Sequence, residues 1–301
     1  HVTSSAPRKW TCLGSSLPQA KLKWAELEMV GSDERTFEAL TERYLAECIG
    51  EKSAAWQRDS RHRASILVKV FGKMSITEIK PHHIAEYLDR YPSKASANQH
   101  IVLMSVMYEK AMRWGWAETN PTRGISRNSI PQRDRYITDD EYMAIREHAE
   151  PWLKAMMDLS YLTGMRVSDI LKLHLSDIRP DGLYVQQKKT GKKQVFELTP
   201  DLQSVIDFAR SIEKPVQSLL LFSGRAGKPI GYSAMQYQWE KACKLANVKN
   251  AHFHDLRAKS GTDAKRNGID YQALLGHTKR DMSDRYVKAR EVDRVTPNRK
   301  L

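Results

Sequence analysis

Apolar residues recur at helical spacing through most of this chain, and that periodicity predicts a mainly helical protein. Phe37, Leu40, Tyr44 and Leu45 form one stripe, Ile66, Leu67, Val70 and Phe71 a second, and Ile101, Met104, Met107, Tyr108 and Met112 a third. Short amphipathic helices of this kind bury their stripes by packing as a bundle, so residues 31–120 are expected to form one helical domain. Residues 1–30 carry a strand-like piece, Arg8 to Leu13, a turn at Gly14-Ser15-Ser16, and a stretch where Leu22, Ala25 and Met29 recur helically. That is too little to fold alone, and the chain starts at His1 without a signal-peptide pattern. It is read as an internal fragment that keeps the end of a small preceding domain.

Asn120-Pro121 stops the helix of the third stripe. The stretch that follows has no apolar period, and residues 121–135 are expected to be an interdomain linker. Residues 136–301 then form a second domain. It opens on Thr138-Asp139-Asp140-Glu141, where Thr138 can cap a helix and Glu141 can return the bond to the cap amide. Its helical pattern breaks from Gly182 to Leu198, where Leu183, Val185 and Gln187 alternate, Thr190-Gly191 supplies a turn, and Val195 and Glu197 alternate again. The fold class expected is mainly α with a small β-hairpin or sheet, an α+β arrangement.

Charge narrows the partner. Lys and Arg number 49 against 36 acidic residues, a net +13 over 301 residues, and the surplus is greatest beyond residue 130. Such a balance suits a polyanion, with nucleic acid first. Three cysteines, Cys12, Cys48 and Cys243, are too few for a disulfide framework and fit a reducing cytoplasm. No apolar run is long enough to span a bilayer, so no membrane partner is expected.

Several modest clusters carry chemistry. Gln186 to Lys193 places Lys188, Lys189, Lys192 and Lys193 on a hairpin tip narrow enough to enter a DNA groove. Thr163-Gly164-Met165-Arg166 sets an arginine where an apolar helix ends in a glycine turn and another begins, with Asp169 three residues on. His254 and Arg257 lie three apart and share a helix face. Leu275-Gly276-His277 follows an apolar helix, and Tyr286 lies nine residues further on, behind Ser283, a plausible N-cap. Each cluster alone also fits a solvated loop, a surface arginine or a half-buried core residue.

In this order the clusters resemble the tyrosine recombinase family, and phage-type integrases within it. The family pattern is an arginine after Thr-Gly, a hairpin lysine, His-x-x-Arg, Leu-Gly-His and a terminal tyrosine, matched here by Arg166, Lys189, His254, Arg257, His277 and Tyr286. The resemblance covers residues 135–290. It implies that 136–301 is the catalytic domain with a C-terminal tail, 31–120 the core-type DNA-binding domain, and 1–30 the remnant of an arm-binding domain and its linker helix. The two larger domains would close on duplex DNA as a C-shaped clamp. One departure is Asp169, where the family often carries glutamate, a shorter carboxylate still able to support Arg166.

What the resemblance implies is a site-specific recombinase of phage or prophage origin that cuts through a 3′-phosphotyrosine. Arg166 and Arg257 offer planar forks to the non-bridging oxygens, His277 a further hydrogen bond. His254 is the candidate acceptor of the phenolic proton and Lys189 the candidate acid for the leaving 5′ oxygen. Exchanging one phosphodiester for another needs no cofactor, and the chain has no P-loop. His252, His254 and the pair His82-His83 lack a supporting acid or cysteine, so no metal site is expected. Arg58, Arg61, Lys94 and Asn98, near Arg63 and the stretch Ser93 to Gln99, are the expected DNA contacts of the first domain. A homo-tetramer on attachment sites is expected, with the tail mediating assembly, DNA-bending accessory proteins as further partners, and a bacterial cytoplasm with its nucleoid as the setting. The rivals are a type IB topoisomerase-like or telomere-resolving enzyme, a catalytically silent DNA-binding regulator, and an RNA-binding protein, the last without an RNP-type aromatic motif.

Overall fold

The computed structural model describes residues 16–23, 35–131, 133–214 and 216–288, save the side chains of Arg285, Tyr286 and Lys288, and divides into two compact units at Pro131 and Gln132. The strand expected at Arg8 to Leu13 and the tail beyond Lys288 lie outside the described residues.

In the first unit a short helix, α1, occupies residues 17–23, and four longer ones follow: α2 (Phe37–Glu47), α3 (Ala54–Phe71), α4 (Pro81–Arg90) and α5 (Lys94–Arg113). Three of them start on hydroxyl caps: Thr36 accepts from the Ala39 amide, Ser53 from Trp56 and Ser93 from Ser96. Pro81 opens α4, where its missing N–H leaves no donor unsatisfied. The three stripes meet in one core in which Phe37, Leu40, Leu67, Met104, Met107 and Tyr108 are sealed from solvent. Phe37 stacks edge-on against Phe71 with ring centroids 6.0 Å apart. Val70, expected in the second stripe, turns outward instead and is 54% exposed.

The second unit runs α6 (Asp139–His148), α7 (Pro151–Thr163), α8 (Val167–Ile170), a 3-10 turn (Leu175–Asp177), strands β1 (Ile178–Arg179), β2 (Gly182–Gln186) and β3 (Lys193–Phe196), then α9 (Pro200–Ser211), α10 (Tyr232–Leu245), α11 (His254–Arg266), α12 (Tyr271–Leu275) and α13 (Arg280–Lys288). Thr138 and Glu141 form the reciprocal capping box at the start of α6. The expected hairpin pairs β2 with β3, Leu183 opposite Phe196 and Gln186 opposite Lys193. β1 adds a third antiparallel strand, too short at two residues to show any alternation.

Helix α11 organises this unit, packing against α7, α12 and α13. Its sequence is among the most polar of the helices, yet Leu256, Arg257, Ala258, Lys259, Ser260, Gly261 and Thr262 are all buried. Small residues let neighbours approach: a Cβ on Gly261 would come 2.9 Å from Leu275 Cδ1. The buried charge is paired. Lys259 donates to Asp263 at 2.9 Å, to the Tyr136 hydroxyl at 3.0 Å and to Asp139. Burial alone would push the Lys259 ammonium toward neutrality; these oxygens outweigh it and hold its pKa above the ordinary lysine value. Tyr136 and Tyr161 also donate to Asp263, at 2.6 and 3.2 Å, and Arg266 lies 3.5 Å from the same carboxylate.

Candidate active site

The site is assembled where two helices end. Helix α7 stops because Gly164 adopts the left-handed conformation, φ 61°, a geometry that glycine enters without the Cβ penalty. Helix α12 stops in the same way at Gly276, φ 63°. The backbone carbonyls left over at these two C-terminal ends converge on one side chain, Arg257, which is 1% exposed. Its Nη1 donates to the Gly164 carbonyl and its Nη2 to the Leu275 carbonyl at 2.5 Å. A guanidinium placed at the negative ends of two helices is stabilised by both.

The Arg257 Nη2 also lies 3.0 Å from His277 Nε2, while His277 Nδ1 lies 2.8 Å from Ser283 Oγ. Because a guanidinium nitrogen can only donate, Nε2 is the acceptor and Nδ1 carries the proton toward Ser283. His277 is therefore neutral here. Burial, then the charges of Arg257, Arg166, Lys192 and His254, push its pKa down to about 4. Both ring nitrogens are engaged inside the protein, Nε2 by Arg257 and Nδ1 by Ser283. Ser283 is also reassigned. Helix α13 begins at Arg280, so Ser283 sits inside it, fully buried, and serves as the partner of His277 rather than as an N-cap.

Arg166, at the N-cap of α8, directs Nη1 to Gln187 Oε1 at 2.5 Å. Asp169 does something other than the expected support of that arginine: its Oδ1 accepts the backbone amide of Lys188 at 3.2 Å and the Ser168 hydroxyl at 3.4 Å. The carboxylate thus ties the hairpin to α8. Lys188, Lys189 and Lys193 are exposed, and Lys192 is half-buried. Lys172, one turn beyond Asp169, went unnoticed in the sequence; contact with the Lys188 ammonium lowers its own pKa. His254 is the exposed first residue of α11. The next residue, Asp255, is clamped by Arg133, which donates through Nε at 3.0 Å and Nη2 at 2.7 Å. Asp255 also accepts the His252 amide at 2.9 Å, which fixes how α11 starts. Arg133, read as linker, is thus bound into the second unit. Tyr286 belongs to α13, but its side chain lies outside the described residues.

The structure therefore gathers Arg166, Arg257 and His277 around the base of the hairpin, with His254 and Lys192 near enough to act on His277. The residues expected to touch DNA in the first unit are placed differently from one another. Arg58 and Arg61 are exposed on α3, with Arg58 3.9 Å from Asp59. Lys94 donates to the carbonyls of Leu88 at 3.2 Å and Asp89 at 2.8 Å. Asn98 exchanges two hydrogen bonds with the backbone of Asn128, at 2.8 and 3.0 Å.

Residues 135–292 match the model of the phage integrase family. The chain belongs to the phage integrase family. Among related phage integrases, that of Escherichia phage HK022 is 27% identical over 239 residues, 73% of this chain and 67% of that protein. The integrase of Escherichia phage lambda is 26% identical over 238 residues, with the same coverage of both. Its solved tetramer bound to a Holliday junction superimposes with a TM-score of 0.78 at 22% identity, covering 96% of this chain and 92% of that one, a likeness of fold. The family match falls wholly in the second unit, where every residue of the gathered site lies. As a phage-type tyrosine recombinase, the chain is a DNA strand transferase.

Proposed function

We propose that this phage integrase family member is a site-specific recombinase that cuts one strand of duplex DNA through Tyr286, holds the end as a 3′-phosphotyrosine and passes it to a partner strand. The observation that carries the proposal is the convergence of Arg166, Arg257 and His277 at the base of a lysine-tipped hairpin. Two permanently charged guanidinium groups suit a phosphate with two non-bridging oxygens, and they stabilise the extra negative charge of its transition state. His277 holds Arg257 in register. His254 takes the phenolic proton as Tyr286 Oη attacks phosphorus, and Lys189 returns a proton to the 5′ oxygen as its bond to phosphorus breaks. Bond type is conserved, so the free 5′ hydroxyl of another strand can reverse the step without ATP or metal.

Recognition belongs to the same reading. Lys188, Lys192 and Lys193 on the hairpin, with Arg58 and Arg61 in the first unit, supply phosphate contacts, and the duplex is held by both units. Four copies would assemble on paired attachment sites, helped by DNA-bending proteins, at the nucleoid of a bacterial host. The test is Tyr286→Phe. It is expected to bind site DNA as the parent does, yet trap no covalent complex on a nicked suicide substrate. Trapping by the variant would refute the assignment.

A further inference from the structure

We infer that Gln187 is a positioning residue that locks the Lys189 hairpin to Arg166 and to the Leu275–Gly276–His277 turn. The inference rests on the recombinase reading above and adds a residue to it. Gln187 is 3% exposed and stands two positions before Lys189. All four of its polar atoms are engaged. The backbone closes the turn: its N–H donates to the Lys192 carbonyl at 2.9 Å, and its carbonyl accepts the Gly191 amide at 2.8 Å. The side chain joins that turn to the rest of the site. Oε1 accepts from Arg166 at 2.5 Å and from the Thr190 hydroxyl at 2.9 Å, while Nε2 donates to Gln194 Oε1 at 2.5 Å and to the Leu275 carbonyl at 3.3 Å.

That last acceptor is decisive, because the same carbonyl receives Arg257 Nη2. One buried amide therefore touches the hairpin, the first arginine and the carbonyl that seats the second. Gln194, on the opposite strand, continues the link by donating to the carbonyls of Ala273 at 2.7 Å and Leu274 at 3.3 Å. The fit leaves no room for a side chain at Gly276, whose Cβ would stand 2.1 Å from Gln187 Nε2 and 2.3 Å from Gln194 Oε1. An apolar residue would fill the Gln187 pocket with no desolvation cost, so an amide there is matched to its partners rather than to mere packing. Held this way, the Lys189 backbone keeps a fixed distance from the phosphate that the arginines bind. Without it the hairpin swings and the ammonium misses the departing oxygen.

The test compares single-turnover cleavage of two nicked suicide duplexes, one with an ordinary scissile phosphodiester and one with sulfur in place of the bridging 5′ oxygen. Sulfur leaves as a thiolate and needs no proton. Gln187→Leu is expected to bind DNA normally and to cleave the all-oxygen strand about 100-fold more slowly, the effect of a misplaced group. It should lose much less on the sulfur-bridged strand, where only its hold on Arg166 and on the Leu275 carbonyl is felt, while Lys189→Ala should cleave that strand near the parent rate. Joining both changes should slow oxygen cleavage only a little further than Lys189→Ala alone. Gln187→Glu, which keeps the acceptor and loses the donor, is expected to show the same dependence on the leaving group. An unchanged rate, or an equal loss on both strands, would overturn the inference, as would unfolding of both variants. A parent protein that forms no adduct on either strand would instead sink the recombinase reading itself.

Discussion

Acidification of His277 offers a direct measure of how the site is wired. In the folded protein its pKa lies at about 4, against an ordinary value of 6.5. Between those values the unfolded chain takes up a proton that the native state refuses, so stability rises with pH across the window and falls as pH drops through it. The contribution is complete above pH 6.5 and lost below about 4. At about 1.36 kcal/mol per pH unit, that interval corresponds to about 3 kcal/mol. Carboxylates titrate in the same window, so the parent must be compared with His277→Gln, whose amide can accept from Arg257 and donate to Ser283 without titrating. The assay is thermal unfolding of both proteins from pH 7 to pH 4, paired with an NMR titration of the imidazole carbon shifts. The parent should lose about 3 kcal/mol more than the variant as pH falls, and the ring should stay neutral well below pH 6. A parallel decline of the two proteins, or an imidazole titrating above 6.5, would refute the reasoning.

Asp263→Ala leaves the buried Lys259 ammonium with Asp139 and the Tyr136 hydroxyl alone and removes the acceptor of two tyrosine hydroxyls, and denaturation should show a loss of about 2 kcal/mol in the second unit. Gly276→Ala places a Cβ residue at φ 63°, which costs about 1–2 kcal/mol before the clash with the two glutamines is counted; calorimetry should find a lowered Tm. Burial pushes the Cys243 thiol up to about 12, so it should resist alkylation in the native protein and react only on unfolding, as mass spectrometry of labelled peptides would reveal. Lys193→Ala should weaken DNA binding and flatten its logarithmic salt dependence by about 1 in slope, measured by anisotropy over a salt series.

Much of the fold was legible because its signals are local. The helix period, the Thr138–Glu141 box and the Thr190-Gly191 turn each act within a few residues. The ordered clusters pointed to the site through their resemblance to the family pattern, and the structure adds the physical link: Gly164 and Gly276 mark helix ends, whose carbonyls receive Arg257. What stayed hidden depends on partners far along the chain. The burial of α11 is one such feature, since nothing near Lys259 announces Tyr136 and Asp139, and nothing near Asp255 announces Arg133. Ser283 resembles a cap until its hydroxyl is seen against His277, and Gln187 resembles any polar hairpin residue until four segments meet on its amide. Strand β1, two residues long, carries no period at all.

The central claim is that the phosphate gripped by Arg166 and Arg257 is attacked by one phenol. Trypsin would release Tyr286-Val287-Lys288 from the chain, since Arg285 precedes it and Lys288 ends it. Mass spectrometry of the complex trapped on suicide DNA should find that tripeptide carrying the mass of a 3′-linked nucleotide after nuclease digestion. The nucleotide on a peptide from any other part of the chain, or no protein-linked DNA at all, would contradict the account.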